Sequence, residues 1–106
     1  SLTWVDAPEH QFAILDREYK IRCEVKSRPP PTVNWLKDDD PITTNEHYIV
    51  EIHSLKINNV QFDDQGVYTC QAAVVATGEV DERKISLEVL EEPKIEEFER
   101  DINITE

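Results

Sequence analysis

The chain has 106 residues and two cysteines, a size that fits one domain with its own core. Its 23 acids outnumber its 11 bases, for a formal net charge of −12. That balance argues against nucleic acid and anionic membrane surfaces, which need clustered Lys and Arg, and no apolar run approaches a membrane span. The opening residues SLTWVDAPEHQF are too polar for a signal peptide, so the expectation is a piece of a longer protein.

The first regular element is EYKIRCEVK, residues 18–26. Tyr19, Ile21, Cys23 and Val25 alternate with charged residues, the period of a strand with one buried and one wet face. TVNWLK (32–37) is a second strand, with Val33 and Trp35 on one side. HYIVEI (47–52) is rich in strand formers but ambiguous in phase. SLKINNV (54–60) points Leu55 and Ile57 inward. GVYTCQAAVV (66–75) does the same with Tyr68, Cys70, Ala72 and Val74, and RKISLEV (83–89) with Ile85, Leu87 and Val89. SRPPP, KDDDP, FDDQG and ATGE are turn signals between these runs. No segment holds a helical period. Many short strands at regular spacing predict an all-β antiparallel sandwich or barrel.

Cys23 and Cys70 stand 47 residues apart with no ligand spacing around either, which disfavours zinc. Two buried thiols in a reducing compartment are one reading. A long-loop disulfide in an oxidising compartment is the stronger one, contributing about 4 kcal/mol in the chain-entropy model.

The series Cys23, Trp35, Leu55, Asp64, Gly66, Tyr68 and Cys70 resembles the immunoglobulin fold. In detail, TWVDAPEHQFAIL, CEVKSRPPPTVNWLKDDDPI, HYIV and LKINNVQFDDQGVYTCQAAVVATGEVDERKISLEVLEEP look like the second immunoglobulin domain of the neural cell adhesion molecule and fasciclin II family. The resemblance implies an immunoglobulin-like antiparallel sandwich of the I-set type, with strands A, A′, B, C, C′, D, E, F and G. It implies a Cys23–Cys70 bridge joining the sheets, Trp35 packed on it, a tyrosine corner at Tyr68, and Gly66 at a tight approach before strand F. Asp64 matches a position that commonly pairs with an arginine at the start of strand D; here that place holds His47. The implied function is homophilic cell–cell adhesion in the nervous system, by the extracellular part of a plasma-membrane protein. The implied partners are the same molecule on an opposing cell and adjacent immunoglobulin domains. The alternatives are an intracellular structural I-set domain of a muscle giant protein and a ligand-binding domain of a receptor ectodomain.

Residues 1–92 are expected to form the domain, and residues 93–106 a linker and the truncated first strand of a following domain. Asn103 heads an Asn-Ile-Thr sequon, a candidate glycosylation site. No nucleophile stands beside a base, so neither catalysis nor a cofactor is expected. His10, His47 and His53 share no ligand spacing, and Asp38, Asp39 and Asp40 read as turn chemistry, not a calcium loop. The basic residues are scattered and interrupted by Glu18 and Glu24, so no strong heparin binding is expected. Strand alternation turns Leu36, Ala73 and Val75 outward on the sheet of strands C, F and G, as one candidate apolar partner patch.

Overall fold

The computed structural model describes residues 1–93. Ten strands form two layers: β1 (Thr3–Asp6), β2 (His10–Ile14), β3 (Tyr19–Arg22), β4 (Glu24–Lys26), β5 (Thr32–Lys37), β6 (Asp40–Ile42), β7 (Tyr48–Val50), β8 (Ser54–Ile57), β9 (Gly66–Val74) and β10 (Glu79–Leu90). A 3-10 turn, Phe62–Asp64, precedes β9. One layer is a five-stranded sheet in the order β2-β10-β9-β5-β6. Opposite it lie β3-β8-β7 and the pair β1-β4. Every pairing is antiparallel except β2 with β10. In the lettering above, β1 and β2 are A and A′, β3 with β4 is B, and β5 to β10 are C, C′, D, E, F and G.

Alternation explains the core. Ile21, Cys23, Val25, Trp35, Leu55, Ile57, Tyr68, Cys70, Ala72, Ile85 and Leu87 are buried between the layers. Cys23 and Cys70 are disulfide-bonded. Trp35 sits directly across from Cys70 in the β5–β9 register and is 2% exposed, so the indole lies beside the bridge. Its ring N–H finds no hydrogen-bond partner among the described residues.

The run 18–26 is divided at Cys23, because its partner changes there. Residues 19–22 pair with β8, whereas residues 24–26 pair with β1. Cys23 N–H bridges the gap by donating to His53 C=O at 2.9 Å. The strand expected to reach Val60 stops at Ile57. Past it Asn58 still donates its backbone N–H to His47 C=O and its side-chain amide to Glu46 C=O, while Val60 stays buried and exchanges backbone hydrogen bonds with Asp16 and Arg17. The last strand is longer than its apolar alternation suggested, running from Glu79 to Leu90 with β9 on one side and β2 on the other.

Gln11 closes one open edge of the sandwich. It is 3% exposed, and its amide donates to Pro8 C=O and Arg22 C=O. Its carbonyl accepts from Arg22 N–H and Tyr19 OH. The side chain thus ties β2, in one layer, to β3, in the other.

Candidate functional site

Asp64 is the buried charge on which the lower end of the sandwich converges. It is 4% exposed, at the end of the 3-10 turn. One carboxylate oxygen accepts from Tyr48 OH at 2.8 Å, and the other from Gln61 N–H at 2.8 Å. His47 Nε2 lies 2.8 and 2.9 Å from the two oxygens. Tyr68 OH donates to Asp64 C=O at 2.7 Å, the corner contact expected of a tyrosine two residues before the second cysteine. The Tyr48 and Tyr68 hydroxyl oxygens stand 3.2 Å apart. Each has one proton, and both protons are used by Asp64, so this approach is proximity more than bonding.

Burial is the main reason the Tyr48 hydroxyl is pushed up to about 12, with Asp64 adding to the effect. Tyr68 is raised as well, by burial first and then by Tyr48. His47 therefore differs from a plain surface histidine: it takes the place of the expected arginine. Tyr48 was not foreseen as a partner of the carboxylate. It lies in a run of ambiguous phase, so the sequence does not tell which way its ring points.

Gly66 is explained by a close approach. A Cβ there would come within 3.0 Å of an Asp38 carboxylate oxygen. Asp38 and Asp39 form the turn after β5 with positive φ values of 48° and 74°, a region Asp tolerates better than most residues. The Asp38 side chain reaches across and accepts from Val67 N–H at 3.2 Å. Leu55 is fully buried, opposite Ile21 on β3.

Leu36, Ala73 and Val75 do not adjoin. Leu36 pairs across with Thr69, and Ala73 with Thr32, at the other end of β5. Four residues of strand separate them, about 13 Å. Val75 lies beyond the end of β9, in the turn before β10, and is 82% exposed. Leu36 and Ala73 share the outer side of the sheet at different levels, and Val75 lies past its end, so the three do not form one patch. Thr69, between them, is only 5% exposed although it faces outward; Leu36 and Lys84 flank it in register. Asn103 and the segment beyond Pro93 lie outside the described residues.

The outer face of β3 is charged but neutralised. Lys20 pairs with Glu51, and Arg22 with Asp6. Arg17, just before it, holds Glu92 with two nitrogens.

Residues 3–89 match the family model for the immunoglobulin I-set domain. The chain is 45% identical to Fasciclin-2 of Schistocerca americana over 94 residues, which are 89% of this chain and 10% of that protein. It is 40% identical to Roundabout homolog 3 of Homo sapiens over 65 residues, 61% of this chain and 5% of that one. The chain therefore spans a tenth or less of the length of these relatives. In structure it is similar to the N-terminal Ig1-2 module of the Drosophila receptor protein tyrosine phosphatase DLAR, with a TM-score of 0.74 at 21% identity, covering 84% of this chain and 45% of that one. With its bridge, its tyrosine corner and a family match over most of its length, the chain belongs to the immunoglobulin I-set domain family.

Proposed function

We propose that the chain is an extracellular module of a cell adhesion molecule of the fasciclin II type, occupying the second immunoglobulin position. In this reading it serves homophilic adhesion between cells of the nervous system. The observation that carries the proposal is the 45% identity to Fasciclin-2 across 89% of the chain. The Cys23–Cys70 bridge supports an oxidising compartment over the intracellular muscle alternative, because structural disulfides are rare in the cytosol. An immunoglobulin sandwich of the I-set family fits a binding module better than a catalyst.

The partner in this reading is a second copy, with neighbouring immunoglobulin domains alongside. Contact falls on the outer face of the β2-β10-β9-β5-β6 sheet, along the line from Leu36 past Ala73 to Val75. That face carries fewer charges on β9 than the β3 face does, so docking there desolvates fewer ions. Heparin is not a strong ligand: three of the scattered bases, Arg17, Lys20 and Arg22, already hold carboxylates. Residues 93–106 would lead into the next domain, with Asn103 glycosylated.

Analytical ultracentrifugation tests where self-association resides. The chain alone is compared with a longer ectodomain that also carries the flanking domains. Concentration-dependent association of the longer protein is expected. A strictly monomeric ectodomain at every concentration would overturn the homophilic reading.

A further inference from the structure

A groove of about 530 Å³ opens at the pole formed by the start of β1, the 27–31 loop and the 51–53 turn. Its lining includes the apolar Val25, Pro30, Pro31, Val33 and Ile52. Ile52 is 81% exposed, although loop tips are ordinarily polar. Its rim carries Lys26, Arg28 and His53, and no Asp or Glu lines it. The chain has 23 acids and 11 bases, yet neither Lys26 nor Arg28 has a carboxylate at ion-pair distance among the described residues. Arg17, Lys20 and Arg22 each have one, but Lys37, Lys56, Arg83 and Lys84 have none either. What sets this groove apart is that two bases line it with apolar side chains and no carboxylate, on an acidic domain.

We propose that this groove docks an acidic segment of a partner protein, one that places an apolar side chain between carboxylates. The carboxylates meet Lys26 and Arg28, and the apolar side chain covers Ile52 and Pro31. Charge complementarity sets the class of partner. The apolar lining separates it from a sulfated glycan, which has no large apolar group to bury there. Nucleic acid would need a wider basic field. The site lies at the pole of the sandwich, apart from the sheet face proposed for adhesion, and stands whether or not that face self-associates.

The test uses a short peptide alternating glutamate and leucine, with lysine–leucine and glutamate–serine counterparts and a heparin oligosaccharide. Binding is followed by fluorescence anisotropy and by amide shifts in the ¹⁵N-labelled chain. The glutamate–leucine peptide is expected to shift residues 25–33 and 52–53, and the lysine–leucine peptide is not. Lys26→Glu with Arg28→Glu should weaken binding about tenfold or more, and Ile52→Ser should weaken it too. Lys56→Glu, on β8, should leave it unchanged. Both rim residues are exposed, so the variants should melt like the parent. No saturable binding, shifts centred elsewhere, or equal binding of the glutamate–serine peptide or of heparin would each overturn the proposal.

Discussion

Replacing His47 with leucine removes a side chain that approaches both carboxylate oxygens of Asp64. The carboxylate keeps Tyr48 OH and Gln61 N–H. The His47 side chain is 34% exposed, so water can reach part of the vacated space and the loss is discounted accordingly. We expect His47→Leu to cost about 1 kcal/mol. Asp64→Ala is more severe. It strips the acceptor from His47, Tyr48 and Gln61 together, and leaves the Tyr48 hydroxyl and the Gln61 amide short of a partner in a largely closed site. Its expected cost is about 3–5 kcal/mol, the range for breaking a buried charged network. His47→Arg should stabilise, because a guanidinium offers two donors to the two oxygens where the imidazole offers one. The assay is urea unfolding followed by tryptophan fluorescence, with a double-mutant cycle over His47 and Asp64. Equal costs for His47→Leu and Asp64→Ala, or a coupling of zero in the cycle, would refute the view of Asp64 as the hub.

Losing the bridge through Cys23→Ala with Cys70→Ala should cost about 2–5 kcal/mol, and Trp35→Ala about 3–5 kcal/mol, both read from denaturant midpoints; a double cysteine variant that melts like the parent would remove the bridge from the account. Gly66→Ala should cost about 1–3 kcal/mol, because the new methyl meets the Asp38 carboxylate, and a thermal melt checks it. Tyr19, Tyr48 and Tyr68 are all raised above the ordinary tyrosine value, chiefly by burial. Folded values above the unfolded one mean that their contribution is complete below about pH 10 and is lost as pH rises. For Tyr48 the loss runs up to about pH 12. Tyrosinate absorbance should therefore appear together with unfolding; a separate titration of all three in a still-folded protein near the ordinary value would contradict the burial argument.

Much of the sandwich was legible because its inward positions alternate without interruption. The run from Tyr68 to Val74 reads inward at every second residue, and each of those residues is buried. Asp64, Gly66 and Tyr68 were legible as a set, through the company they keep with Cys70. Where alternation was the only guide, partner changes were invisible. Nothing in EYKIRCEVK announces that its two halves pair with different strands, since pairing is a property of the neighbours. Gln11 was hidden for a related reason. A polar residue at an inward position carries no signal of its own, and its four hydrogen bonds come from Pro8, Tyr19 and Arg22, brought close only by the crossing of the chain from one layer to the other. Leu36 and Ala73 stand apart along the sheet because outward orientation fixes a face but not a position along it. Register places Leu36 and Ala73 at opposite ends of β5, a fact that depends on which residue of β9 stands across from which of β5.

We propose adhesion by this domain through the outer face of its five-stranded sheet. Bead aggregation by a longer ectodomain that carries this domain tests it most directly. Beads bearing the parent protein are compared with beads bearing Leu36→Glu and Val75→Lys together, and with Val75→Lys alone. Val75 is 82% exposed, so the single variant leaves folding intact, and circular dichroism checks the half-buried Leu36 site. Parent beads should cluster, the double variant should stay dispersed while folded, and Val75→Lys alone should fall between. Undiminished clustering by the folded double variant would contradict it.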